Sequence, residues 1–238
     1  MANFQTHMVG AVAVGVVATS ILTAAELMEP TLIGTAVGLT ALGGLFPDVD
    51  SDNSDSIELV FSVMGLAVSM PLLAVSLPKL GLILSVVVMG LAYGTVRYVL
   101  IEPFRRFTVH RGIFHSVPMA AATLAGLTAL VHYGLGLSAV ESWMFGALFL
   151  LGFLTHLVLD ELYSVDLANQ RLKRSAGTAV KFFKSDDAVW YGLLYLSIPA
   201  IFWIAPSAQP FLDLFPLMDF HLLPPEELIA RLTGAGTR

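Results

Sequence analysis

The chain has 238 residues, of which 56% are apolar and 13% are charged, whereas soluble domains average about 45–50% apolar and about 25% charged residues. These proportions exclude an ordinary soluble domain. Because uncharged runs recur along the whole sequence, they indicate one polytopic membrane domain. Cysteine is absent, which excludes disulfides, thiolate nucleophiles and cysteine-based zinc sites. The net charge of −6 is less informative than the positions of the charges.

Seven apolar runs are long enough to cross a bilayer as helices, which takes about 20 residues each. They lie at about 8–25, 30–46, 58–78, 80–99, 112–133, 142–162 and 188–206. We therefore predict an all-α fold, a polytopic membrane helix bundle of about seven transmembrane helices. This domain comprises residues 1–206, and an interfacial, non-cytoplasmic tail follows at 207–238. The first two runs are rich in glycine and alanine, which leaves open whether they are tilted, packed inward or re-entrant.

The basic residues indicate the orientation of these helices. Nine of the twelve Lys and Arg fall between positions 97 and 111 or between 171 and 184. By the positive-inside rule both segments are cytoplasmic, and seven spans do place them on one side. The same alternation puts the N-terminus and the acidic segment at 47–57 in the cytoplasm.

Histidine and aspartate side chains converge on this cytoplasmic face from four segments of the chain. They come from the start of the first helix, the end of the second, the start of the fifth and the inner end of the sixth. His156 and Asp160 are four residues apart, so they share one helix face. Ionisable groups at membrane helices are costly and are functional candidates by default. The candidate metal ligands are His7, Asp48, Asp50, His115, His156 and Asp160.

Imidazole and carboxylate ligands suit zinc, manganese or iron, and the thiolates that would favour copper(I) are absent. Zinc is the metal we expect, with manganese as the alternative. Six ligands exceed the four of a tetrahedral zinc site, so the set has room for one or two ions. A two-metal site suits hydrolysis of a phosphoester, although hydrolysis of an amide or another ester stays open. Taken singly, each residue has an equally good structural explanation as a hydrogen-bonded histidine or a turn-forming aspartate.

The segment HRGIFHS adds two candidate catalytic residues beside His115. Arg111 is able to bind an anionic substrate group with two hydrogen bonds, or to anchor the helix end among lipid headgroups. His110 is either a further ligand or the general acid for the leaving group. Ser116 is better explained as a helix cap than as a nucleophile, since no nucleophile-elbow pattern surrounds it.

The order of these motifs resembles a known family. An early His is followed by PDVD, HRGIFHS and HLVLDELYSVD with the basic stretch KRSAGTAVKFF, as in the bacterial inner-membrane YdjM-like family of metal-dependent hydrolases, described as LexA-binding. The resemblance covers roughly residues 5–185. It implies a multi-pass protein of the bacterial cytoplasmic membrane, a metal-dependent hydrolase activity and LexA as a regulatory partner.

In ligand types alone, the set is also similar to the zinc phospholipase C and nuclease group, which implies phosphoester substrates. One departure is that Ser51 and Asp52 follow PDVD, where a histidine or another polar residue is expected in the family.

The leading hypothesis is a hydrolase that acts at the cytoplasmic face on a lipid-like or other amphiphilic phosphoester through a metal-activated water. One alternative is a metal or proton transporter, but the outer halves of the helices are almost wholly apolar, which disfavours a polar pathway. Another is a non-catalytic regulatory protein with a structural metal and a docking surface at 171–184. The sequence predicts no direct binding of nucleic acid.

Overall fold

The computed structural model describes residues 3–50, 55–103, 113–166, 171–172 and 181–215. The helices, in chain order, are α1 (Phe4–Ala24), α2 (Ile33–Leu45), α3 (Asp55–Gly94), α4 (Val117–Leu135), α5 (Ala139–Ser164), α6 (Ala188–Ile204) and the short α7 (Gln209–Leu212). Short 3₁₀ helices adjoin them at Pro30–Leu32, Phe46–Asp50 and Ser185–Asp187, and a π-helical segment lies at Thr95–Leu100. After α5, the two-residue strands β1 (Val165–Asp166) and β2 (Arg171–Leu172) pair antiparallel.

The predicted all-α polytopic bundle is confirmed. In the described part of the chain, six helices are long and apolar enough to cross a membrane, namely Phe4–Ala24, Pro30–Val49, Leu72–Pro103, Val117–Leu135, Ala139–Tyr163 and Ser185–Ile204. A further apolar helix, Ile57–Met70, is shorter. The difference from the seven predicted spans therefore lies in α3, which contains both the third and the fourth predicted span.

The helix α3 is a hairpin that turns at Gly81. This residue has φ 74° and ψ 171°, a conformation that is essentially restricted to glycine. Beyond it, Arg97 Nε donates to Ser62 Oγ at 2.9 Å and Arg97 Nη2 to Glu58 Oε2 at 2.8 Å. In a straight helix residues 35 positions apart would be about 50 Å apart, so these bonds require the chain to double back. The predicted helices at 58–78 and 80–99 are the two arms of this hairpin.

The helices α1, α2 and α5 pack closely through glycines. A Cβ on Gly43 would overlap the carbonyl oxygen of Phe149, and one on Gly152 would overlap that of Thr40. A Cβ on Gly44 would overlap the Cβ of Ala11. Small residues that let backbones approach are the usual way in which helices pack in lipid. The close approach brings the end of α2 against α5 at Phe149 and Gly152, just before the candidate ligands His156 and Asp160.

The helices α4 and α7 also pack against α5, and α6 packs against α4. Phe153 and Leu157 of α5 are fully buried with Ala120 of α4 in one apolar cluster. At the opposite end of α5, Trp143 Nε1 donates to the carbonyl of Pro206 at 3.0 Å, which fixes the segment that leads into α7. The predicted division at 206 and 207 stays a prediction, and most of the tail lies outside the described residues.

Candidate metal centre

His7 lies in the first turn of α1. Asn3 caps this helix, since its side chain accepts the backbone N–H of Thr6 at 2.9 Å. The helix therefore begins at Phe4, four residues before the predicted start. As a result His7 lies inside the helix and not ahead of it, and its side chain is buried at 1% exposure.

Asp48 lies in the helical turn Phe46–Asp50, which continues α2 through the PDVD motif. The turn is held in place by Val49, which is buried beside Ile57 of α3. Asp48 itself points into the bundle but keeps 17% of its side chain exposed. It is thus the one candidate ligand among the described side chains with an appreciable path to the surface.

His115 lies in the turn that precedes α4. The helix begins at Val117 and not at about 112 as predicted, because Ser116 is its cap and accepts the backbone N–H of Met119 at 3.3 Å. The backbone N–H of Val117 donates to the carbonyl of Lys181 at 3.0 Å. These two bonds fix the turn and hold His115 buried at 1% exposure.

His156 and Asp160 are both buried on the inward face of α5, as their spacing predicts. His156 Nδ1 lies 2.7 Å from the carbonyl oxygen of Gly44. A carbonyl only accepts hydrogen bonds, so Nδ1 carries the proton and Nε2 carries the lone pair. A metal-binding histidine commonly has its second nitrogen held in this way.

Imidazole nitrogens and carboxylate oxygens meet inside the bundle, near one of its ends. His7 Nε2 is 3.3 Å from Asp160 Oδ1, and His115 Nε2 is 3.3 Å from Asp48 Oδ1. His156 Nε2 is 3.6 Å from the same Asp48 oxygen. Two groups of three residues bring one donor atom each within 4.8 Å of one another, and both include His156. They are His7 with His156 and Asp160, and Asp48 with His115 and His156.

The donors fit a divalent transition metal. Buried polar atoms normally have a hydrogen-bond partner, yet His156 Nε2 and His7 Nδ1 are buried and bonded to no residue that the structure describes. The lone pair of His156 Nε2 faces the Asp48 carboxylate, and a cation between the two would satisfy both. Nitrogen and oxygen donors of this kind suit zinc above copper(I) or calcium.

The structure brings together five of the six ligands predicted from the sequence. The sixth, Asp50, ends the turn Phe46–Asp50, and its side chain is outside the described part. His110 and Arg111, the predicted catalytic residues, also lie outside the described residues. The carbonyl of Gly44 is a functional group that sequence reasoning missed, because a backbone oxygen leaves no signal in the residue types.

No curated protein and no solved structure matches this chain. The model of one protein family does match, over residues 1–171. The matched region contains α1 to α5 and all five residues of the centre, whereas α6 and α7 lie beyond it. Since the match covers well over half of the 238 residues, the chain belongs to the family of the YdjM inner membrane protein and is a multi-pass membrane protein.

Proposed function

We propose that this protein is a membrane-embedded, metal-dependent hydrolase. The observation that carries the proposal is the convergence of three histidines and two aspartates from four segments, four of them buried to 1% exposure or less. Burying so many ionisable groups at a membrane helix bundle is costly unless they bind something. The residues available to form a centre for one or two ions are His7, Asp48, His115, His156 and Asp160, with zinc favoured and manganese as the alternative.

A divalent metal bound there supplies an activated water and polarises the bond to be hydrolysed. The protein's own contribution is to hold the donors in a dry, rigid setting. The Gly44 carbonyl orients His156, and the cap at Ser116 orients His115. Because Asp48 is the partly exposed donor, we expect substrate to approach from its side. His110 and Arg111 precede His115 by five and four residues in the sequence, and we propose them as proton donor and anion-binding residue.

The position of the centre favours an amphiphilic substrate. Asp48 is the penultimate residue of the span Pro30–Val49, so the donors lie at the edge of the apolar region and not in its middle. A phosphoester with an acyl or prenyl tail would place its polar group at this depth. We further propose that this face is cytoplasmic, as the positive-inside rule favours.

Metal analysis of the purified protein in detergent is the first test. We expect stoichiometric zinc or manganese, and hydrolysis of nitrophenyl phosphoesters or phospholipid that depends on it. Asp48→Asn should lower the activity by more than about 100-fold, because loss of a group that only orients a metal ligand already costs about 10–100-fold. Glu141→Gln is the matched control and should keep both metal and activity, since the Glu141 carboxylate accepts hydrogen bonds from Ser138 at the opposite end of α5.

Wild-type protein that lacks a transition metal would refute the proposal. Hydrolysis that survives Asp48→Asn would show that the chemistry occurs elsewhere. Metal uptake into proteoliposomes without hydrolysis would favour a transporter instead.

A further inference from the structure

The two groups of donors compete for one atom. Both need His156, and its Nδ1 is already engaged by the Gly44 carbonyl at 2.7 Å. Only Nε2 is left to bind a metal, and a neutral imidazole nitrogen has one lone pair. His156 would therefore bind a single ion, held by one group or shared by both.

The stacking of the histidine rings argues against one ion bound by both His7 and His156. An imidazole binds a metal along its lone pair, which lies in the plane of the ring. The rings of His7 and His156 are stacked, with centroids 3.6 Å apart and planes only 12° from parallel. Two nearly parallel planes at this separation have no common point near the rings. This conclusion holds for either nitrogen of His7.

The rings of His115 and His156 are arranged differently. Their centroids are 5.3 Å apart and their planes are inclined at 66°, so their lone pairs are able to converge. Two imidazoles that bind one zinc at bond lengths of about 2.1 Å and a tetrahedral angle have centroids about 5 Å apart. Asp48 Oδ1 lies 3.3 Å and 3.6 Å from the Nε2 atoms of these two histidines, in position for the third bond.

We propose that Asp48, His115 and His156 hold the tightly bound ion, and that His7 and Asp160 position this group without binding that ion. The inference rests on the proposed function. Asp160 fixes the ring of His7 through the 3.3 Å contact to Nε2, and the ring of His7 covers the face of His156. The ring of His156 is thus held by the hydrogen bond from Nδ1 to the Gly44 carbonyl and by stacking on the ring of His7. Together these contacts set the direction of the Nε2 lone pair.

The test compares His7→Phe with His115→Phe. Each replaces one buried imidazole of the centre with a flat ring of similar shape. Metal-free protein is titrated with Zn²⁺ or Co²⁺, and the imidazoles bound to the first equivalent are counted by X-ray absorption. We expect two imidazoles on the first ion in the wild type and an unchanged affinity for that ion in His7→Phe. His115→Phe should lower the affinity by more than about 100-fold, because loss of a group that only orients a ligand already costs about 10–100-fold.

A third variant, His7→Ala, identifies a positioning role. Removing the stacked ring should lower the affinity for the first ion by about tenfold, the lower end of the range for a residue that orients a ligand. The affinity of His7→Phe should equal that of the wild type, because the phenyl ring restores the stacking. Three imidazoles on the first ion, or equal losses in His7→Phe and His115→Phe, would overturn the inference while leaving a metal site. If the wild type binds no metal, the proposed function fails as well.

Discussion

At the scale of single residues, two histidines show how position decides the role of the same contact. His156 and His132 each place Nδ1 2.7 Å from a backbone carbonyl, that of Gly44 and that of Leu137 respectively. His156 lies among other ionisable groups and is fully buried, whereas His132 is partly exposed at the opposite end of the bundle. The contact of His132 ties the end of α4 to the turn that follows it, while that of His156 orients a nitrogen toward carboxylates.

We expect His156→Ala to abolish metal binding and to lower the stability of the protein. The buried Gly44 carbonyl would lose its partner, which costs about 1–3 kcal/mol, in addition to the loss of packing. Metal analysis and thermal unfolding in detergent would measure the two effects. His132→Ala is the matched control and should keep its metal. A His156→Ala protein with full metal content would contradict this role.

The sequence predicted which ligand residues lie close together, but not the orientation of their rings or their hydrogen bonds. Alternating helix ends, together with the spacing of His156 and Asp160, were enough to bring His7, Asp48 and His115 to the same place. The ring stacking and the bond to the Gly44 carbonyl depend on how far each helix is rotated about its axis. Rotation is set by packing against neighbours, which the residue types of one segment do not encode.

At the scale of helices, the contact of α2 with α5 holds Asp48 beside His156. Gly43→Ala would place a Cβ against the carbonyl oxygen of Phe149, and overpacking of this kind typically costs about 1–3 kcal/mol. We expect lower thermal stability and weaker metal binding, because Asp48 would move away from α5. Gly38→Ala in the same helix has open space around its Cβ and should be neutral or slightly stabilising. Equal effects of the two substitutions would refute the argument from close packing.

The hairpin of α3 depends on the backbone conformation of Gly81. With φ at 74°, an alanine there would be strained by about 1–3 kcal/mol, so Gly81→Ala should destabilise the protein without contacting any side chain. Gly90→Ala, also in open space but without a positive φ, is the control. Thermal unfolding in detergent would compare them. Unchanged stability in Gly81→Ala would mean that the turn relaxes without cost.

Hydropathy located the helices well but placed some of their ends wrongly. The apolar run that begins at 112 includes Ile113 and Phe114, yet these precede the cap at Ser116 and are not helical. The break after Pro78 was visible in the sequence, but the positive φ that turns the chain lies at Gly81. Single capping and turn residues determine where these helices end, whereas hydropathy is averaged over many residues and does not detect them.

At the scale of the whole molecule, one end of the bundle carries all the described donors. The helices α1 and α4 begin there, and α2 and α5 end there. The hairpin α3 leaves from this end and returns to it, so the chain reaches His115 on the same side as Asp48. The two arms of α3 are the two membrane crossings between Asp48 and His115. The fold therefore places both residues on one side of the membrane, whichever way the bundle faces.

The direction in which this end faces is open to a direct test, because the chain has no cysteine. We expect single cysteines at Gln5 and Ser185, both exposed at the donor end, to react with a membrane-impermeant maleimide only after the membrane is permeabilised. Ser138→Cys, exposed between α4 and α5 at the opposite end, should react in intact spheroplasts. The reason is the excess of Lys and Arg in the segments at the donor end. The reverse pattern would place the donors on the outer face, and substrates would then have to come from outside the cytoplasm.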